Sequence, residues 1–296
     1  MLNPSLTVQT YTNAKDFLAV MQGRLATHEA LYGLMLGIVL RLQAYPERIE
    51  RPPYLATVID ATGGCTAALM TPPHGLVLYS DQAMPQAALY LLAQNLHEQG
   101  WPLPTVNGVS QLSAAFAQIW SQVQGVSNRI DVEERVFELR HVEPLHYSAG
   151  ARRLATLADL DLVARWIVAF NQEALGETMS DLVATRQRVQ VRITDQTFFL
   201  WEDGEPVALA GITRPTPHGI GIGPVYTPPQ QRGRGYATSL VAQVSQQMLD
   251  SGRQFCTLFT DLANPTSNSI YQKIGYRPVG DYRVYRFTTV TPSTAS

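Results

Sequence analysis

The chain has 296 residues, 45% of them hydrophobic and 16% charged, with 22 basic and 24 acidic residues and a formal net charge of −2. That profile provides apolar material for one large domain or two ordinary ones and argues against global disorder. The basic residues are scattered apart from the pairs Arg152/Arg153 and Arg232/Arg234, which speaks against nucleic acid as a partner. No signal-like head and no apolar run of about 18 residues is present, so a cytoplasmic protein with no membrane contact is expected.

In chain order, "NAKDFLAVMQGRLATHEALYGLMLGIVLRL" predicts two helices with Thr27 as the cap between them, and "YLATVID", "CTAALMTPP" and "GLVLYS" predict strands. "MPQAALYLLAQNLHEQG" predicts a helix stopping at Gly100, "LPTVNG" a strand, "SQLSAAFAQIWSQVQG" a helix and "RVFELRHVEP" a strand. Cys65 and Cys256 lie far apart in apolar runs and read as reduced core residues. With the histidines dispersed, no metal is expected.

A similar order follows in the second half. After a strand at residue 152, Thr156 caps a helix through Leu160, Val163, Ile167, Phe170 and Ala174, and a second helix runs from Ser180 to about Arg192. "TFFLW", "PVALAGITR" and "GIGIGPVYT" read as a meander. A helix from the glycine turn to Gly252, the strand "FCTLFTDL", the short helix "NPTSNSIYQKIG" and a closing hairpin in "YRPVGDYRVYRFTTV" complete it. The fold class is therefore mixed α/β, a largely antiparallel sheet flanked by helices in each half. The boundary is placed in "HYSAGARR", dividing the chain into 1–147, 152–288 and a loose tail 289–296, with one continuous domain as the alternative.

The stretch "GPVYTPPQQRGRGYATSLVAQV" ends a strand at Thr227, breaks at two prolines and sets Gly233 and Gly235 at the start of an amphipathic helix. Unpaired amides at the positive end of a helix bind anions, glycine lets a ligand come close, and Arg232 and Arg234 can add charge. Alone, the turn implies an anion site or simply a tight turn with solvated arginines. Neither a P-loop nor a dinucleotide fingerprint is present.

"QQRGRGYA", with Gln230, Gly233 and Gly235, resembles the acyl-CoA pyrophosphate motif of the GNAT N-acetyltransferase superfamily, and "NPTSNSIYQKIGYRPV" is similar to that superfamily's later Asn/Tyr segment. The resemblance covers residues 152 to about 288. It implies acetyl-CoA as cofactor, with the backbone of Val225, Tyr226 and Thr227 carrying the pantetheine arm. Amides from Arg232 through Gly233, Arg234, Gly235 and Tyr236 to Ala237 would hold the pyrophosphate, Asn268 would contact the cofactor with Asn264 close by, and Tyr271 would be the general acid. A phenol suits protonation of a leaving thiolate at neutral pH. For the base, Glu173 and Asp261 are the candidate carboxylates, each also readable as a solvated or capping residue, and a water chain is the alternative.

In the first half the equivalent turn, "YSDQAMPQAALYLL", has neither glycine nor arginine. That half resembles a degenerate GNAT domain, as in tandem acetyltransferases of the mycothiol synthase type, which implies no second cofactor; it is expected either to shape one wall of the acceptor cleft or only to bury apolar surface of the other half. Two functions follow from the resemblance: an acetyl-CoA-dependent N-acetyltransferase acting on a small-molecule or peptide amine by direct attack in a ternary complex, or a non-catalytic acyl-CoA-binding or sensing module. The acceptor and the oligomeric state are open at this level.

Overall fold

The computed structural model of the protein describes residues 6–82, 85–175 and 181–289. Its elements begin with β1 (Val8–Thr10), α1 (Ala14–Ala26), α2 (Glu29–Ala44), β2 (Tyr54–Ile59), β3 (Cys65–Met70), β4 (Leu76–Ser80), α3 (Gln86–Glu98), β5 (Thr105–Val109), α4 (Ser110–Gln124) and β6 (Val126–Leu139). They continue with β7 (Ala151–Leu154), α5 (Leu160–Leu175), α6 (Leu182–Thr194), β8 (Phe198–Asp203), β9 (Glu205–Thr213), β10 (Gly219–Tyr226), α7 (Tyr236–Asp250), β11 (Phe255–Asp261), α8 (Pro265–Ile274) and β12 (Arg277–Thr289). Among the described residues, no helix is long and apolar enough to cross a membrane.

The chain forms two compact units, residues 1–136 with 280–296 and residues 137–279. This division differs from the one expected at 146–153, because the unit limits fall inside β6 and β12.

In the first unit the strand order is β1-β2-β3-β4-β5-β12. The pairs from β1 to β4 are antiparallel, β4 and β5 are parallel, and β12 closes antiparallel on β5 with Tyr282 opposite Val109 and Arg286 opposite Thr105. β2 and β3 are buried almost throughout, so their apolar residues run continuously rather than alternating. One face packs on α3 and α4 through Leu89, Leu92, Phe116 and Trp120, the other on α1 and α2 through Phe17, Met21, Leu36 and Val39. Thr27 ends α1 rather than starting α2, its hydroxyl donating back to the Gly23 carbonyl at 3.2 Å.

In the second unit the order β11-β10-β9-β8-β7 is antiparallel except for the parallel pair β10/β11. α7 and α8 cover one face, together with Phe137 and Leu139 from the end of β6, and α5 and α6 cover the other. Thr156 and Asp159 form the expected capping box ahead of α5, with Arg153 donating to both Asp159 carboxylate oxygens at 2.8 and 2.9 Å. α6 starts at Leu182 on an Asp181 cap, while the expected start at Ser180 lies outside the described residues. Both cysteines are buried and free, and burial pushes their thiols up, to about 11 at Cys65 and about 12 at Cys256.

The expected closing hairpin is instead one strand, β12. Gly280-Asp281 reads locally as a turn, but Tyr282 to Arg286 find a ladder on β5 and Arg135 takes the Asp281 carboxylate at 2.7 and 2.9 Å. The Tyr282 hydroxyl donates to the Leu31 carbonyl at 3.0 Å, and a Cβ on Gly280 would stand 2.6 Å from Leu31 Cδ1. Pairing and close packing thus favour the extended backbone at this point.

Candidate active site

The site begins where β10 leaves its neighbours. Ile220 and Ile222 pack toward α7 and α8. The ladder with β9 then shifts register between Ile222/Ile212 and Val225/Ala210, a bulge at Gly223-Pro224, where proline has no N–H for the ladder. On the other edge, parallel pairing with β11 stops at Gly221/Thr257, although β10 continues to Tyr226 and β11 to Asp261. Beyond that point the two strands part. Val225 and Tyr226 remain paired to β9 through Ala210 and Leu209, leaving the backbone edge toward β11 without a strand partner among the described residues.

The turn that follows is built by its glycines. Gly233 (φ 77°) and Gly235 (φ 79°) both take the left-handed conformation, and Gly235 is the N-cap of α7 with no side-chain acceptor on the helix amides. The Ser148 hydroxyl donates to the Arg234 carbonyl at 2.8 Å, and the Ser148 amide donates to Ser239 Oγ at 2.8 Å. Ser148 therefore fixes the loop onto the first turn of α7. Tyr236 is buried with its hydroxyl on Asp203 Oδ2 at 2.6 Å, and its amide and that of Ala237 lie in the first turn of α7, which no side chain caps. Gln230, Arg232, Gly233, Arg234 and Gly235 are exposed.

Arg232 is exposed, but its guanidinium is engaged by the fold. Its Nε donates to the Thr227 carbonyl at 2.9 Å and its Nη2 to Glu173 Oε2 at 2.5 Å. Glu173 Oε1 accepts from the Tyr226 hydroxyl at 3.1 Å. Both Glu173 carboxylate oxygens are thereby engaged, and through Tyr226 the residue belongs to the α5 face of the sheet, whereas Tyr271 lies in the core on the α7/α8 face. Burial and the neighbouring Glu173 charge push the Tyr226 phenol above its ordinary value.

At the β11–α8 junction, Asp261 Oδ1 accepts from the Ala263 amide at 2.8 Å, closing its own turn. Asn264 caps α8, accepting from the Ser267 amide at 3.0 Å. Asn268 Nδ2 donates to the carbonyls of Asp261 and Asn264 at 3.1 and 2.8 Å. Tyr271 follows on α8, 8% exposed, its ring 6.5 Å from Phe137 and 5.9 Å from Tyr276. Burial pushes its phenol up to about 12, so it is fully protonated at neutral pH. Tyr271, Tyr236 and Val225 share one side-chain cluster.

Three buried polar atoms near these elements have no hydrogen-bond partner: Thr227 Oγ1, Gln231 Oε1 and Asn268 Oδ1. Buried groups of this kind are rare in a finished fold and call for an explanation. With the uncapped α7 amides and the free β10 edge, they fit a ligand with an anionic end and an amide-rich arm, which is the chemistry of acyl-CoA. Neither Ser148 nor Gln231 stands out in the sequence.

At the corresponding place in the first unit, Asp81 is engaged from within. Asp81 accepts from the Cys65 amide at 2.6 Å, from Arg24 at 2.5 Å and from the Tyr79 hydroxyl at 3.2 Å, and the N-cap position of α3 is Pro85, which has no N–H.

Residues 160–276 match the sequence profile of the Acetyltransferase (GNAT) family. In fold, the chain is similar to a GCN5-related N-acetyltransferase from Sphaerobacter thermophilus, with TM-score 0.64 and 17% identity over 100% of each chain. It is also similar to an acetyltransferase from the GNAT family of Colwellia psychrerythraea (TM-score 0.54, 13% identity, 96% of this chain and 100% of that one). A tandem GNAT protein from the clavulanic acid biosynthesis pathway gives TM-score 0.55 at 14% identity, over 98% of this chain and 100% of the other. Among curated proteins, no sequence matches.

Proposed function

We propose that this chain, whose residues 160–276 match the GNAT acetyltransferase family, is an acetyl-CoA-dependent N-acetyltransferase acting on a small-molecule or peptide amine by direct attack in a ternary complex. The observation that carries this reading is the parting of β10 and β11 beyond Gly221/Thr257, directly ahead of the uncapped glycine turn of α7. Backbone at Val225, Tyr226 and Thr227 binds an extended arm by strand-like pairing. The amides from Arg232 to Ala237 bind the anionic end. Asn268 holds the β11–α8 turn and offers Oδ1.

Acetyl-CoA, when bound, supplies the acetyl group already activated as a thioester. Tyr271 holds a proton on its hydroxyl throughout the neutral range and donates it to a leaving thiolate. With both Glu173 oxygens engaged, water takes the proton from the attacking ammonium in this reading.

That same engagement of Glu173, and the turn-closing role of Asp261, favour the second reading, an acyl-CoA-binding module without turnover. Incubation with acetyl-CoA and a broad amine panel, followed by titration of free thiol, separates the two. Thiol release dependent on an amine supports transfer, CoA binding without release supports the module, and no CoA binding refutes both.

A further inference from the structure

The side chain of Arg232 spans the end of β10. It donates to the Thr227 carbonyl at 2.9 Å and to Glu173 at 2.5 Å, with its guanidinium 5.9 Å from the centre of the Tyr226 ring. Tyr226 is itself set by Glu173 at 3.1 Å and by the Trp166 ring at 6.2 Å. Next to this bridge, Thr227 Oγ1 is buried without a partner. In this arrangement Arg232 occupies a carbonyl that an extended ligand arm would need, next to a hydroxyl that bears an unsatisfied desolvation cost.

The bridge is built to open. The Arg232 and Glu173 side chains are 49% and 45% exposed, so water screens their attraction and the pair is weak. A phosphate offers the guanidinium planar fork a stronger, charge-assisted partner than a half-solvated carboxylate does.

We propose that Arg232 is a cap held over the end of the pantetheine-binding edge by Glu173 and lifted by the ligand's phosphate, so that the site admits phosphate-bearing thioesters and discriminates against phosphate-free ones. Glu173 is on this account a positioning residue for Arg232 and not the base. The inference rests on the acyl-CoA reading above.

The test is calorimetric titration of the full chain, and of its Glu173→Gln and Arg232→Gln variants, with CoA and with pantetheine, which shares the arm and thiol but has no phosphate. Glu173→Gln should tighten pantetheine binding roughly 2- to 5-fold, the strength of an exposed ion pair. Arg232→Gln should tighten pantetheine by a similar factor while weakening CoA about 10-fold, the loss of a charge-assisted contact. These opposite signs in one variant are the signature of a cap. Pantetheine binding that is unchanged or unmeasurable in both variants overturns the proposal, leaving Arg232 an ordinary phosphate contact. Weaker pantetheine binding in both also overturns it, since the pair would then support the edge rather than cover it. Failure of the unsubstituted chain to bind CoA would instead overturn the acyl-CoA reading itself.

Discussion

Ser148 and Arg234 are joined by a 2.8 Å hydrogen bond from the serine hydroxyl to the arginine carbonyl, although 86 positions separate them in the chain. The bond holds the loop whose amides are offered to the ligand, so its loss should loosen the cradle more than the fold. Ser148→Ala is expected to raise the Kd for CoA about 5-fold, close to the ~1 kcal/mol of one hydrogen bond, with a small fall in Tm. Titration with CoA checks this, and unchanged affinity would exclude a positioning role for Ser148.

Gly233 and Gly235 have nearly the same φ, 77° and 79°, but different surroundings. A Cβ on Gly233 meets nothing within 4 Å, whereas one on Gly235 would stand 2.8 Å from Ser148 Oγ. Each substitution by alanine should cost about 1–2 kcal/mol in backbone strain, with an added steric cost at Gly235 alone. In a Ser148→Ala background the difference between the two should shrink. Urea midpoints of the four variants test this coupling, and strictly additive effects would contradict it.

Tyr271→Phe should leave CoA affinity within about 2-fold and lower turnover by at least about 100-fold, the lower range for a general acid. Full turnover would refute the acid role. The phenol is raised from an ordinary 10 to about 12 in the folded chain, so the folded form holds this proton more tightly than the unfolded one. Its contribution to stability is complete below pH 10 and is lost as pH rises from 10 to 12. Over that window, denaturation curves of Tyr271→Phe should show a shallower decline than those of the unsubstituted chain.

Asp159 responds to the opposite end of the pH scale. The Arg153 guanidinium, with further help from Thr156, lowers its carboxyl from an ordinary 3.8 to about 2. The stabilisation is present above pH 4 and disappears as pH falls toward 2. Asp159→Asn should therefore cost about 2 kcal/mol at pH 7 and almost nothing near pH 2. A cost independent of pH would assign the effect to capping alone.

Phe137, Leu139 and Val142 belong to the core of the second unit. A fragment starting at residue 150 loses all three, and burial of each such side chain is worth about 1.5–3 kcal/mol. A fragment of residues 137–279 should thus melt cooperatively at a higher temperature than residues 150–296. The reverse order would show that those side chains are dispensable to that core.

What could be read from the sequence was what is written locally. The end of β10, the glycine turn, α7 and the Asn264–Tyr271 segment each carry their own punctuation, and the structure has a strand, a turn or a helix at each. Ser148 stayed hidden because its partners, Arg234 and Ser239, are remote in sequence, and a serine in "HYSAGARR" has the same local character as any loop residue. The hairpin expected around Gly280 failed for the same reason: Gly-Asp is a turn signal in isolation, and only the ladder of Tyr282–Arg286 on β5 selects the extended form. The state of Glu173 was likewise undecidable from residue type, since a carboxylate can serve as base or as catch and its two neighbours, Tyr226 and Arg232, are non-local.

The assignment of residues 280–289 to the first unit has a consequence for synthesis on the ribosome. All of residues 137–279 emerge before the strand segment that closes on β5. The first unit must therefore wait, its β5 edge unpaired by β12, until residues 282–286 have been translated, whereas the later unit can complete its core first. Vectorial folding in this protein should run opposite to the usual N-to-C order of domains. The waiting edge at Thr105–Val109 is where a chaperone or a premature neighbour would find an open strand.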